Sequence, residues 1–317
     1  MTRIATVFGA TGKQGTSVVR ALLADGTFKP RAITRDVNSP AARKLAEQGC
    51  EVVQADMADK EAVKRAVAGT GTVFAVTVPF TAISELDQGI SIIDASKEAG
   101  VQFLVFSTLP SLKALSNGKY PNITPAEEKA EVQKYLESSG LPHACIATGN
   151  FLENVLASHV GLPPFSKTEH GYVMHLLGKP DMVLPWTWID RDMGPAVTAL
   201  IKQYDTRASE IIGKTFVLGV ARATAEEVAA ELAKGKPCLD ASIESSADCC
   251  IGLGKPVEVK CVVDCAVPVV NDMYAFSTEF EWYPGVELPD PRLEKLGVEV
   301  GSIEEFARTT LKAYGEV

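Results

Sequence analysis

The sequence predicts an α/β protein, built on a doubly wound parallel Rossmann sheet with a smaller C-terminal lobe. Over the first 150 residues, short apolar segments alternate with amphipathic ones at the spacing of repeated βαβ units. Three glycines, Gly9, Gly12 and Gly15, join the first apolar segment to the first amphipathic one. The alternation ends near residue 150, where proline-rich stretches begin.

The elements of the Rossmann domain, residues 1–150, follow from this alternation. The apolar runs predict strands at Ile4–Phe8, Pro30–Thr34, Glu51–Gln54, Thr72–Val76, Phe103–Ser107 and His143–Ala147. The intervening segments predict helices at Thr16–Ala24, Ala41–Glu47, Lys60–Val67, Leu86–Glu98 and Pro125–Ser138.

Residues 151–317 predict a smaller α+β lobe, with a segment at about 187–219 returning to the Rossmann domain. Gly213–Gly219 reads as a strand, and Thr224 with Glu227 forms a capping box that opens a helix. Ligands of open α/β sheets bind beyond the carboxyl ends of the strands. We expect the lobe to cover that edge and close a cleft.

Composition narrows the class of protein. The chain has 317 residues, a net charge of -9 and 46% hydrophobic residues. An acidic balance argues against a nucleic-acid partner, since phosphate binding favours a basic face. No apolar run reaches the roughly 18 residues of a membrane span, and no targeting peptide is recognised. These observations predict a cytoplasmic protein, with a nuclear location as the alternative if it is a regulator.

Seven cysteines are scattered along the chain without a CxxC pair. The adjacent Cys249 and Cys250 suggest redox sensing or metal binding, but incidental thiols are the simpler interpretation. His170 and His175 lie five apart without a carboxylate partner pattern, so no metal site is expected.

The glycine-punctuated turn predicts an anion site at the start of the first helix. Glycine lets the backbone approach a ligand closely, and the helix N-terminus offers unpaired N–H groups and a positive dipole end. A strand, such a turn and a helix in a βαβ unit form the context of the dinucleotide fingerprint. The residues assigned to the cofactor here are Gly9, Thr11, Gly12, Lys13, Gln14 and Gly15.

The residue after the second strand discriminates between the two nicotinamide cofactors. An acidic residue there binds the ribose hydroxyls of NAD, whereas a basic one favours the additional phosphate of NADP. Thr34 occupies the acidic position and Arg35 follows it. Because the planar guanidinium suits phosphate, the sequence predicts NADP(H), with Arg35 on the 2′-phosphate. A solvated loop charge is the alternative for Arg35.

Several motifs together resemble the NmrA-like family of atypical short-chain dehydrogenases, over most of the chain. They are "ATVFGATGKQGTSVVRALL", "ITRD", "VVQADMAD", "VFSTL", "GNFLENVL", "WIDRDMGPAV" and "TAEEVA". The resemblance implies a Rossmann fold and NADP(H). It leaves the activity open, because the family contains both reductases and cofactor-sensing regulators.

The resemblance also assigns cofactor contacts beyond the glycine turn. Asp56 resembles a residue that borders the adenine, although capping of the next helix is an alternative. The remaining assigned contacts lie at the ends of strands three, four and six, and are Met57, Thr77, Val78, Pro79, Gly149, Asn150 and Phe151. Asn154 resembles a frequent family residue on the following helix.

The catalytic residues of a short-chain dehydrogenase are only partly present. Such enzymes use a Ser and a Tyr-x-x-x-Lys pair, in which Tyr transfers the proton. Ser107 and Lys129 match the Ser and the Lys, but Pro125 stands where Tyr is expected. Thr124, Pro125 and Glu127 instead predict N-cap, N1 and N3 of a new helix. Lys129 then acts as acid/base, holds the cofactor ribose, or is a solvated helix lysine.

Two functions remain open at this point. The first is an NADPH-dependent reductase of a small carbonyl or imine, with Tyr120 as a third catalytic candidate and aromatic residues of the C-terminal lobe lining the pocket. Trp186 and Trp188 are candidates for that lining, and core packing explains them equally well. The second is a non-catalytic NADPH/NADP sensor that regulates a partner protein. Accordingly, the expected partner is a small-molecule substrate or a regulatory protein, and the expected assembly is a monomer or homodimer.

Overall fold

The computed structural model describes residues 3–158, 161–234, 253–262 and 265–311. Its centre is a parallel sheet with strand order β11-β6-β5-β4-β1-β2-β3. The strands are β1 (Arg3–Val7), β2 (Phe28–Thr34), β3 (Glu51–Gln54), β4 (Thr72–Ala75), β5 (Phe103–Thr108), β6 (His143–Thr148) and β11 (Thr215–Leu218). The order reverses beside β1, as in a doubly wound sheet, so the predicted fold class is confirmed.

Helices cover both faces of this sheet. The α-helices are α1 (Lys13–Asp25), α2 (Pro40–Glu47), α3 (Lys60–Val67), α4 (Glu85–Glu98), α5 (Leu112–Leu115), α6 (Thr124–Ser139), α7 (Ile189–Gln203), α8 (Ala208–Ile211), α9 (Ala225–Ala233), α10 (Pro268–Glu279), α11 (Pro291–Lys295) and α12 (Ile303–Phe306). A 3₁₀ turn covers Leu152–Val155 and a π-helical turn covers Ala307–Leu311. None of the described helices is long and apolar enough to cross a membrane.

The central strands are buried on both faces because each face has its own core. All residues of β4, β5 and β6 are buried. Side chains of α1 and α7 form the core on one face, and those of α3, α4 and α6 form the core on the other. This explains why the strands appear in the sequence as continuous apolar runs rather than alternating ones.

Helices α1 and α7 pack at close range through a small residue. A Cβ at Gly194 would lie 2.3 Å from the Ser17 carbonyl oxygen. The Ser17 hydroxyl accepts the Gly194 amide at 3.0 Å and donates to the Asp190 carbonyl at 2.9 Å. Segment 189–203, far along the chain, is thereby held against the first helix of the sheet.

Two small sheets lie in the C-terminal half. One has the order β12-β10-β7 and the other β13-β9-β8. Their strands are β7 (Asn150–Phe151), β8 (Ser166–Lys167), β9 (Tyr172–Leu177), β10 (Leu184–Thr187), β12 (Ala221–Ala223) and β13 (Val257–Val262). A third hydrophobic core joins them to α9, α10 and α12, and includes Trp186, Trp282 and Phe306.

Helix starts confirm one predicted cap and correct two others. The capping box of Thr224 and Glu227 is present at α9. The box predicted at Thr124 is wrong: the N-cap of α6 is Ile123, without a side-chain hydrogen bond. The Glu127 carboxylate instead accepts the Ser111 hydroxyl at 2.7 Å and the Lys113 amide at 2.8 Å, so it stabilises the preceding turn.

The second corrected cap lies after β3. Asp59, and not Asp56, caps α3, by accepting the amides of Glu61 and Ala62 at 3.0 Å.

Among the cysteines, Cys50 and Cys145 are buried, whereas Cys249 and Cys250 lie outside the described residues.

Asp290 ties the C-terminal segment to the edge strand β11. Its buried carboxylate accepts the Val217 amide at 3.1 Å and a guanidinium nitrogen of Arg292 at 2.7 Å. Burial acts to raise the pKa of Asp290, but the hydrogen bonds from Arg292 and Val217 outweigh it, and the pKa lies below its ordinary value. The ionised carboxylate therefore stabilises the folded state.

We expect Asp290→Asn to lower the free energy of unfolding at pH 7 by about 1–3 kcal/mol, because charge-assisted bonds are lost. The wild-type contribution is complete above the unfolded pKa of about 3.9 and disappears as pH falls through the lower folded value. The stability difference between the two proteins should therefore narrow below about pH 4. Urea titrations from pH 7 to pH 3 measure it, with the exposed Asp205→Asn as control. Equal midpoints at pH 7 would contradict this role of Asp290.

Candidate functional site

The glycine turn between β1 and α1 depends on close backbone contacts. Gly9 has φ 65°, a conformation that favours glycine, and its carbonyl accepts the Gly12 amide at 2.9 Å. A Cβ at Gly15 would lie 2.2 Å from the Gly9 carbonyl oxygen. The turn therefore folds back onto the first turn of α1, and a side chain at Gly15 would push the two apart.

The N-terminus of α1 suits a bound diphosphate. Gly12 is the N-cap and has no side chain to bond the first amides, and no acidic residue lies in the first turn. Lys13 donates to Asn154 at 2.9 Å, and burial lowers its pKa although Glu153 opposes the effect. Unbonded amides, the positive end of the helix dipole and a nearby cation fit a dinucleotide.

Arg35 lies exposed directly after β2. Within the described residues its guanidinium makes no ion pair or hydrogen bond, while its carbonyl accepts from the Gln54 side chain at 3.0 Å. Asp36 closes its own turn by accepting the Asn38 amide at 2.8 Å. The strand end therefore presents a cation that is free to contact a phosphate.

Most of the other residues near β3 and β4 that the sequence assigns to the cofactor are hydrogen-bonded to, or packed against, other parts of the protein. Asp56 is exposed and accepts the Ala58 amide at 2.9 Å. The Thr77 hydroxyl donates to Glu85 at 2.6 Å. Both backbone polar groups of Val78 bond the Gln88 side chain at 2.9 Å. Met57 packs against the core, and Pro79 lines a cavity between the loop after β4 and the start of α6.

A cavity of about 270 Å³ lies where β5, β6 and α1 meet the C-terminal lobe. Its walls are mainly apolar and aromatic. The lining residues are Gln14, Phe80, Ser107, Thr108, Leu109, Lys129, Thr148, Gly149, Asn150, Phe151, Asn154, Leu184, Pro185, Val270, Met273, Tyr274, Ser277 and Trp282. The cavity thus unites Ser107 and Lys129 with the predicted segment after β6.

Lys129 is a buried member of an ion pair rather than a solvated helix lysine. Its ammonium contacts the Glu85 carboxylate and donates to the Thr77 hydroxyl at 2.9 Å and the Thr77 carbonyl at 3.1 Å. Glu85 is only 1% exposed. Burial is the largest influence on Lys129 and lowers its pKa, while Glu85 acts in the opposite direction. The result is a proton held next to the cavity, with Glu85 as the main counter-ion.

Glu85 is a residue that sequence reasoning missed. It begins α4, after the Ser84 N-cap. Acidic residues are common at helix starts, so a glutamate at this position does not by itself indicate a functional site. Its partner lies 44 positions away on α6. Only the neighbouring positions of β4 and β5 in the sheet bring the two helices together.

The segment after β6 is shaped by a close strand contact. A Cβ at Gly149 would lie 2.1 Å from the Pro185 carbonyl oxygen, and its amide donates to Thr187 at 2.7 Å. Asn150 faces Tyr274, whose hydroxyl lies 3.5 Å from the amide oxygen. Burial raises the pKa of Tyr274 to about 12, so this cavity hydroxyl keeps its proton.

Three other candidates lie outside the cavity lining. The Tyr120 hydroxyl donates to Glu279 at 2.7 Å, and this bond raises the pKa of Tyr120 to about 12. Trp186 is fully buried and donates to the Ala223 carbonyl at 3.0 Å, and Trp188 packs edge-on against Phe306. Of the two interpretations open for these tryptophans, core packing is the one found. Aromatic residues of the C-terminal lobe do line the cavity, but they are Tyr274 and Trp282.

Comparison with known proteins identifies relatives and structural neighbours. The NmrA-like family domain-containing oxidoreductase notA of Aspergillus sp. (strain MF297-2) is 37% identical over 213 residues, 62% of each chain. The oxidoreductase malD of Malbranchea aurantiaca, which has the same description, is 34% identical over 223 residues, 64% of this chain and 65% of its own. The match thus spans less than two thirds of these curated relatives.

A solved structure of NmrA, a negative transcriptional regulator in complex with NADP, aligns with a TM-score of 0.76 at 20% identity, over 100% of this chain and 98% of that chain. The NADPH-dependent quinone oxidoreductase QOR2 of Escherichia coli, complexed with NADPH, gives 0.67 at 22%, over 96% and 98%. These likenesses concern the fold. Residues 1–234 match the NmrA-like family, so the chain belongs to the NmrA-like family.

Proposed function

We propose that the protein binds NADP(H) at the carboxyl edge of the large sheet. Three observations support this assignment. The first amides of α1 have no side-chain cap, Gly15 packs closely on the Gly9 carbonyl, and the Arg35 guanidinium has no partner among the described residues. Gly9, Gly12 and Gly15 would receive the diphosphate, and Arg35 the 2′-phosphate. NADP and NADPH in the two solved neighbours described above are in accord with it.

We further propose that the protein is an NADPH-dependent reductase of a small carbonyl or imine. The observation that carries this proposal is the cavity in which Lys129 and Ser107 stand among apolar and aromatic walls, beside Gln14 of the dinucleotide turn. NADPH supplies a hydride when bound. The protein must then supply one proton to the substrate oxygen or nitrogen.

Lys129 is the best-placed proton donor in the cavity. Its ammonium carries an exchangeable proton, and burial lowers its pKa, which favours release. The Ser107 hydroxyl would orient the substrate heteroatom. Tyr274 is a poorer donor because burial raises its pKa to about 12, and Tyr120 is bonded to Glu279 outside the cavity.

The walls favour a neutral, largely aromatic substrate. Trp282, Met273, Phe151 and Leu184 supply apolar surface. The positive charge of Lys129 is already matched by Glu85, so a carboxylate or phosphate on the substrate would find no free counter-ion there. Phe80 stands at the rim with φ 60° and 72% exposure, available to pack on a bound ring.

A non-catalytic sensor is the second candidate function. The replacement of the usual Tyr by Pro125 favours it, because a sensor needs bound cofactor but no proton donor. In that function Lys129 would hold the ribose, and a regulatory protein would be the partner.

For either function we propose a monomer or a homodimer, and a large assembly in light scattering would contradict it.

Arg35 provides the first test. We expect NADPH to bind more tightly than NADH in calorimetric titrations. Arg35→Ala should weaken NADPH about 10- to 100-fold, because a charge-assisted phosphate contact is lost, and NADH by less than about twofold. Arg65→Ala removes another exposed arginine and should change neither affinity. Equal affinity for the two cofactors in the wild type would exclude this role of Arg35.

Lys129 provides the second test, through loss of NADPH absorbance with acetophenone and 2-phenyl-1-pyrroline. Lys129→Arg keeps the charge beside Glu85 but hardly releases a proton. It should lower kcat about 10²- to 10⁴-fold with NADPH binding retained. Lys134→Arg, exposed on the same helix, should match the wild type. The anionic 4-acetylbenzoate should react more slowly than acetophenone.

The outcome separates the two candidate functions. Tight NADPH binding without reduction of any probe, together with cofactor-dependent binding of a protein partner, would reject the reductase and support the sensor. Full activity of Lys129→Arg would show that another group donates the proton.

A further inference from the structure

The Lys129–Glu85 pair separates two cavities. Lys129 lines the substrate cavity, which Glu85 does not line. A second cavity, of about 250 Å³, lies between the loop after β4 and the start of α6. Glu85 lines this second cavity, whereas Lys129 does not. Its lining residues are Pro79, Phe80, Thr81, Ala82, Ile83, Ser84, Glu85, Thr124, Pro125 and Glu128. The ion pair therefore spans the wall between a substrate site and a second opening.

The two carboxylate oxygens of Glu85 differ in their surroundings. Oε2 contacts the Lys129 ammonium and accepts the Thr77 hydroxyl at 2.6 Å. Oε1 is buried and has no hydrogen-bond partner among the described residues. The Glu85 amide donates to Glu128 at 2.6 Å, which holds the start of α4 beside α6. Oε2 is thus bonded to Lys129 and Thr77, whereas Oε1 can still accept a hydrogen bond.

The charges around the pair leave Glu85 as the main partner of Lys129. From α4 come Glu85 and Asp87, and the Asp87 carboxylate is bonded to the Ser84 hydroxyl at 2.7 Å. From α6 comes Glu128, which acts on Lys129 at longer range. Strands β4 and β5, with sequences TVFA and FLVFST, contribute no charged residue.

Resting on the reductase function proposed above, we propose that Glu85 relays protons from the second cavity to Lys129. As hydride adds to the substrate carbon, the Lys129 ammonium gives its proton to the carbonyl oxygen or imine nitrogen and becomes a neutral amine. The Glu85 carboxylate accepts a proton from hydronium or a buffer acid at Oε1, and the carboxyl group rotates about its Cγ–Cδ bond until the protonated oxygen faces Lys129. That same proton then passes to the Lys129 amine, and Glu85 is a carboxylate again. Each turnover consumes one hydride and one solvent proton, and both side chains return to their starting states.

This route keeps solvent away from the reacting atoms. Bound cofactor and substrate would occupy the first cavity, so a proton arriving on that side would have to pass through them. The second cavity reaches Glu85, the partner of Lys129, from the side away from the first cavity. Glu85 is therefore a positioning residue, because it acts through Lys129 and does not touch substrate.

The test measures reduction of acetophenone and 2-phenyl-1-pyrroline by NADPH, in H₂O and in D₂O, across a pH series. Glu85→Gln should lower kcat about tenfold or more and raise the solvent isotope effect on kcat, because proton delivery becomes slower. The fall of kcat at high pH should move about one unit lower, since loss of the carboxylate lowers the pKa of Lys129. NADPH affinity and KM should stay within about twofold.

Two further variants distinguish a relay from a structural role. Glu85→Asp keeps the charge, so its pH profile should match the wild type, while the longer reach to Lys129 should lower kcat severalfold. Glu131→Gln, exposed on α6, should behave as the wild type. A lower urea unfolding midpoint is expected for Glu85→Gln in either case, because one partner of a buried pair is lost. A merely structural role would change NADPH affinity and leave the solvent isotope effect on kcat at the wild-type value.

The outcomes identify which proposal fails. An active wild type, together with a Glu85→Gln variant of unchanged kcat and pH profile, would overturn the relay and leave the reductase standing. Should Glu85→Gln fail to fold, a Glu85→Asp variant with undiminished kcat would overturn the relay. A wild type that binds NADPH and reduces neither probe would overturn both proposals together.

Discussion

Two opposite charges are buried together where α4, α6 and β4 meet, and the site depends on this pair. Neither Lys129 nor Glu85 would be stable there alone, because removing one partner of a buried pair costs about 3–5 kcal/mol. The Thr77 hydroxyl and carbonyl complete the coordination of the ammonium. Helix α6 is thereby held at a fixed position over β5, and Lys129 is presented to the cavity without adding net charge to it.

A second constraint is that three glycines each bring one backbone segment into close contact with another. Gly15 touches the Gly9 carbonyl, Gly149 touches the Pro185 carbonyl, and Gly194 touches the Ser17 carbonyl. Each contact would be lost with any larger side chain. Together they place the start of α1, the segment after β6 and α7 around one edge of the sheet, which is where ligands of such sheets bind.

The C-terminal lobe makes this edge into an enclosed site. Tyr274 and Trp282 come from the region of α10, more than 100 residues after β6, and they supply the aromatic wall. Asp290 anchors the same region to β11 through the Val217 amide. The cavity therefore combines polar residues and part of its apolar wall from residues 1–234, which match the family, with aromatic residues from beyond them.

The sequence by itself determined the Rossmann strands, the glycine turn and the cation at Arg35, because these depend on local periodicity and on spacing within one βαβ unit. The resemblance to short-chain dehydrogenases also brought Ser107, near the end of β5, and Lys129, in the second turn of α6, into consideration. Only the tertiary structure decided the partner of Lys129, the N-cap of α6 at Ile123 and which aromatic residues of the C-terminal lobe line the cavity. Those features arise from contacts between residues tens to more than a hundred positions apart, which periodicity does not encode.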